Sequence, residues 1–68
     1  MNKTLAEKIE IAFKAAQRLI DDAEKKLAKA VAEENWLRAA ELSGYIHGMM
    51  QTQAVFESVL PSAKVSEQ

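Results

Sequence analysis

The stretch IEIAFKAAQRLIDDAEKKLAKA, residues 9–30, decides the fold. Within it Ile9, Phe13, Ala16, Ile20, Ala23, Leu27 and Ala30 recur at alternating spacings of four and three. That is a heptad seam, the pattern that keeps one stripe of a helix against a partner helix. In successive heptads one of the two seam positions is alanine. A side chain that ends at Cβ lets the partner axis come close, so the seam predicts a long helix packed tightly on another helix.

Reading outward, the helix has a clear start. Thr4-Leu5-Ala6-Glu7 is a capping box, in which the hydroxyl takes the N3 amide and the Glu7 carboxylate reaches back. Asn2 is a competing cap. From Leu5 to about Glu33 there is no glycine or proline, and good helix formers dominate. Glu10 with Lys14, Asp21 with Lys25, and Asp22 with Lys26 are acidic-to-basic pairs at i,i+4, each worth about 0.2–0.5 kcal/mol on a solvated face.

The break is predicted at Glu33-Glu34-Asn35. Asn35 is a good N-cap for a second helix starting at Trp36. The alternative is one unbroken helix. Against it, the first seam continues onto Glu34, a poor core residue, and the apolar phase restarts at Trp36. The second helix is expected to run to about Leu60. Pro61 follows, and the residue before a proline is biased away from helix. Residues 61–68 read as a mobile tail. The fold expectation is therefore all-α: an antiparallel hairpin of helices over about 5–33 and 36–60 that self-associates into a bundle.

Helix two is apolar on two sides. Leu42, Ile46, Met49, Phe56 and Leu60 share a stripe that includes Gln53, the natural mate of the alanine seam. Leu37, Ala40, Gly44, Tyr45, Gly48, Val55 and Val59 lie on or near the other side and form the expected partner interface. Glycine inside a helix costs about 1 kcal/mol relative to alanine. The ridge Ala40, Gly44, Gly48 therefore suggests a close helix crossing. Trp36 is expected to close the hairpin end over Val31 and Ala32, and Tyr45 is a candidate interface anchor.

Composition narrows the function classes. The chain has 68 residues, no cysteine, two glycines and one proline, with a formal net charge of −1. A chain this short gains only about 3–5 kcal/mol from one core and usually needs a staple. Without cysteine neither a disulfide nor a thiolate zinc site forms, which leaves self-association or docking on a partner. Balanced charge argues against phosphate-driven nucleic-acid binding and against a DNA mimic. No apolar run approaches the roughly 20 residues of a membrane span. Met1-Asn2-Lys3-Thr4 lacks the apolar segment of a signal peptide, so a cytoplasmic or virion location is expected.

Motifs for chemistry are absent. His47 is the single histidine, with no carboxylate one turn away, and so is a poor metal ligand. Ser43 stands i,i+4 from it, but no third group orients the imidazole and a helix offers no oxyanion site. There is no phosphate-binding glycine loop and no Glu-x-x-His pair. No cofactor, metal or catalysis is expected.

Residues 27–46, LAKAVAEENWLRAAELSGYI, resemble the UVR helical hairpin of bacterial excision-repair proteins. The positions that carry the likeness are Leu27, Ala30, Trp36, Ala39 with Ala40, Leu42 and Ile46. Where that family has an Arg-Asp pair after the leucine, this chain has Ser43-Gly44. The resemblance implies a hairpin that pairs with another hairpin. The chain is also similar in size and character to small tailed-phage accessory proteins. Together these readings point to a non-catalytic protein–protein interaction module, a virion component or a small inhibitor of a host protein, that binds itself and another protein. The alternative is a nucleic-acid-associated hairpin of the plasmid RNA-binding bundle type, resting on Lys25, Lys26 and Lys29.

Overall fold

The computed structural model describes residues 3–66, and in them the chain is two antiparallel helices, α1 (Leu5–Ala32) and α2 (Trp36–Ser66). Thr4 caps α1: the Glu7 amide donates to Thr4 Oγ1 at 3.1 Å, and the hydroxyl donates onward to the Glu7 carboxylate at 3.2 Å. The carboxylate thus holds the capping hydroxyl. Asn2, the competing cap, lies outside the described residues.

The corner is built without glycine. Asn35 N–H donates to the Ala30 carbonyl at 2.8 Å and Glu34 N–H to that of Val31 at 3.0 Å. These are the paired bonds of a Schellman motif, which needs a left-handed residue at the position of Glu34. Glu34 has φ 57°, a conformation in which Cβ crowds the following carbonyl. Asn35 then starts α2: its side-chain oxygen accepts the Arg38 amide at 3.2 Å and its carbonyl accepts that of Ala39 at 2.9 Å. One residue closes the first helix and the next opens the second, so the direction reverses in three residues.

Both helices carry a complete heptad seam. On α1 it is Ala6, Ile9, Phe13, Ala16, Ile20, Ala23, Leu27 and Ala30. On α2 it is Ala39, Leu42, Ile46, Met49, Gln53, Phe56, Leu60 and Ala63. All are buried or half-buried, and among the other described residues only Ala12 is less than exposed. Because both helices rise about 1.5 Å per residue, each step back along α1 is matched by an equal step forward along α2. The seams then fall level in layers, pairing outward from the turn as Ala30 with Ala39, Leu27 with Leu42, Ala23 with Ile46 and Ile20 with Met49. Beyond these come Ala16 with Gln53, Phe13 with Phe56, Ile9 with Leu60 and Ala6 with Ala63. Alanine–alanine layers close both ends. Where α1 offers alanine in the middle, α2 offers Ile46 or Gln53, so a small residue faces a larger one.

Ile20 is the most buried large side chain, at 1% exposure. With Ala23, Ala30, Ala39, Leu42 and Ile46 it forms the core, against which Leu27 and Met49 pack. Gln53 fills the room left at Ala16. Its Nε2 donates to the Phe13 carbonyl at 3.3 Å and to Gln17 Oε1 at 3.0 Å. A polar residue in a seam, bonded to fixed partners across it, specifies one register.

The end of α2 corrects the expectation of a mobile tail from residue 61. Pro61 removes the N–H that would donate to the Glu57 carbonyl, yet the helix runs through it to Ser66. Pro61 points outward, while Ala63 behind it is 4% exposed. Lys64 Nζ meets Glu10 Oε1 across the hairpin at 3.6 Å. The seam continues past the proline, and packing outweighs one lost hydrogen bond. Glu67 and Gln68 lie outside the described residues. Of the three expected charge pairs on α1, Asp22–Lys26 closes at 3.0 Å. Asp21 accepts from Gln17 at 2.9 Å, and Glu10 is drawn to Lys64.

Two predictions follow from this geometry. Ala23→Leu inserts bulk into a 3%-exposed seam position opposite Ile46 and costs about 1–3 kcal/mol by overpacking. Urea denaturation measures it, and a neutral result removes the close contact. Glu34→Gly relieves the left-handed backbone and raises stability by up to about 1 kcal/mol; an unchanged or lower denaturation midpoint contradicts the Schellman corner.

Candidate functional site

A two-helix hairpin has two broad faces and two edges. The outer edge of α1 is largely charged, with Ile11 standing exposed on it at 47%. That of α2 is not: from Leu42 to Phe56 there is no Asp, Glu, Lys or Arg. The expected interface residues are all exposed. Leu37, Ala40, Gly44, Gly48 and Val55 fall on this outer edge, while Tyr45 and Val59 turn toward one broad face. A Cβ added at Gly44 or Gly48 meets nothing within 4 Å, so the glycines serve no contact inside the hairpin. Thr52 Oγ1 donates to the Gly48 carbonyl at 3.0 Å.

The two broad faces differ. One carries Glu10, Gln17 and Glu24 of α1 beside Met50, Glu57 and Lys64 of α2. An open groove of about 270 Å³ lies there, lined by Ile9, Glu10, Phe13, Lys14, Phe56, Glu57 and Leu60. It exists because two helices cannot cover the large side chains of the open end. The other face carries Leu5, Ala12 and Leu19 at heptad spacing beside Tyr45, Thr52 and Val59. A second groove there, of about 260 Å³, places Leu19, Ala23, Leu42 and Tyr45 together, with Asp22, Lys26, Arg38 and Glu41 around them. Sequence reasoning missed this second stripe. One apolar residue per heptad, set among charges, has little weight in a periodicity reading; the signal was the repeat at seven.

Trp36 does not close the hairpin end. It is 62% exposed and Val31 46%, because the alanine layer at Ala30 and Ala39 draws the helices together beneath it and leaves no gap for an indole. His47 is exposed and meets Gln51 through Nε2 at 3.2 Å, so Ser43 is not its partner. Among the described residues no three His, Asp or Glu side chains gather as metal ligands, and no helix is long and apolar enough to cross a membrane. Both grooves have apolar walls with surface charges at their rims.

Comparison with protein-family models, with curated proteins and with solved structures finds no match.

With open space around both glycines, Gly44→Ala and Gly48→Ala each raise stability by up to about 1 kcal/mol through helix propensity alone. Thermal denaturation of each variant checks this. A destabilised variant shows that a Cβ meets something at that position.

Proposed function

We propose that this protein is a non-catalytic interaction module that works by self-association, two hairpins stacking into a four-helix bundle. One observation carries the reading. The hairpin is a single layer of helices, 52 × 22 × 11 Å in extent, whereas stable domains bury their apolar faces between at least two layers. Its accessible surface is 5160 Å². A compact chain of 7.5 kDa exposes about 4,250 Å². The excess, roughly 900 Å², matches the share of about 800 Å² that one partner contributes to a standard interface. The half-buried pairs Phe13 with Phe56 and Ile9 with Leu60 are where that deficit is felt.

A pairing hairpin is also what the likeness of residues 27–46 to the UVR hairpin implies. The uncharged outer edge of α2 is then the surface offered to another protein. The basic residues support no separate nucleic-acid reading: Lys26 is held by Asp22 at 3.0 Å, and acids flank Lys25 and Lys29.

Self-association makes folding depend on concentration. Sedimentation equilibrium is expected to give a dimer or larger at micromolar concentration, and the melting temperature to rise with protein concentration. Folded monomers with a concentration-independent midpoint contradict the proposal.

A further inference from the structure

We infer that the hairpin meets a second copy of itself through the broad face formed by Leu5, Ala12 and Leu19 of α1 and Tyr45, Thr52 and Val59 of α2. This rests on the self-association reading and assigns it a surface. In a closed pair of identical chains the same patch serves both subunits, so the patch must be complementary to itself. The opposite face is not. It presents three carboxylates, Glu10, Glu24 and Glu57, against two cations, Lys14 beside the groove and Lys64, which Glu10 already engages at 3.6 Å. Stacking two copies there brings carboxylates toward carboxylates in a desolvated contact, which is costly.

The Leu19 face lacks that conflict. From Leu5 to Leu19 on α1 and from Tyr45 to Val59 on α2, the residues that point to it are uncharged. Toward the turn charge enters as Asp22, Glu33 and Glu41 with Lys26, Lys29 and Arg38, three of each sign, so copies in either orientation meet no net repulsion. Leu5, Leu19, Tyr45 and Val59 are between 42% and 54% exposed. Half of each side chain is already ordered by the hairpin and half is open to a partner. Tyr45, at the turn-side end of the patch beside Leu19, is of the residue type that anchors interfaces. The outer edge of α2 has two glycines, Gly44 and Gly48, where a large apolar anchor would stand, with the polar His47 between them.

Matched substitutions test the assignment, because Leu19 at 49% and Met50 at 48% exposure lie on opposite faces. Sedimentation equilibrium of the full chain should show Leu19→Lys weakening self-association by about tenfold or more. Met50→Lys and Gly48→Leu should leave it within about threefold. If Met50→Lys or Gly48→Leu is the dissociating change and Leu19→Lys is not, the proposed face is wrong while self-association stands. A wild-type chain that stays monomeric overturns both. Should Leu19→Lys lose its helical circular dichroism, a milder pair decides. The chain has no cysteine, so Thr52→Cys and Ser43→Cys each place one exposed thiol on one face. Reactivity of the Thr52→Cys thiol toward a disulfide reagent should fall as protein concentration rises, and that of Ser43→Cys should not. The reverse pattern overturns the assignment.

Discussion

The structure depends on the close approach of two helices across alanine layers. Alanine at Ala6, Ala16, Ala23 and Ala30 of α1, and at Ala39 and Ala63 of α2, sets the distance between the axes. Within that spacing the larger residues Ile20, Leu42 and Ile46 are enclosed. The ends are pinned by the smallest layers and the middle by Gln53, whose amide reaches across to a backbone carbonyl of α1. Everything else is fitted to this register. The turn must reverse the chain within three residues, so Glu34 accepts a left-handed conformation that glycine would adopt more easily. Pro61 is carried inside a helix because the last layer lies beyond it.

Much of this was legible in the sequence where a physical signal was strong and local. The α1 seam, the Thr4 cap and the Asn35 cap are each set by a few neighbouring residues, and the structure has all three. The hairpin follows from them, because the phase of the seam does not carry through Glu34. The α2 seam was legible only in its middle. Leu42, Ile46, Met49, Phe56 and Leu60, with Gln53 among them, stand out, whereas Ala39 and Ala63 are small and become core only through what they face. Pro61 was read by its local cost, which long-range packing of Ala63 and the Lys64–Glu10 contact offset. The exposure of Trp36 was missed for the same reason: its surroundings are fixed by the distance between the helices, which no local pattern encodes.

The same close approach leads to the functional reading. Two helices side by side make a molecule one helix thick. Two helices drawn this near hide their alanines well but leave Ile9, Phe13, Phe56 and Leu60 only half covered, and they leave a single-layer slab with more surface than a compact chain of its mass. The proposed pairing would cover part of that surface. Under the proposed pairing, the charge pattern rather than apolar area would distinguish the two broad faces, since apolar side chains occur on both.

Small-angle X-ray scattering tests this account most directly, because it reads mass and shape together. One hairpin has a Cα radius of gyration of 15.6 Å. Two hairpins stacked face to face, with helix layers about 10 Å apart, double the forward scattering while raising that radius by only about 1 Å. That is the expected result. Doubled mass with a rise of about 3 Å or more indicates edge-to-edge or end-to-end pairing. The mass of a single chain at every concentration contradicts the account at its centre.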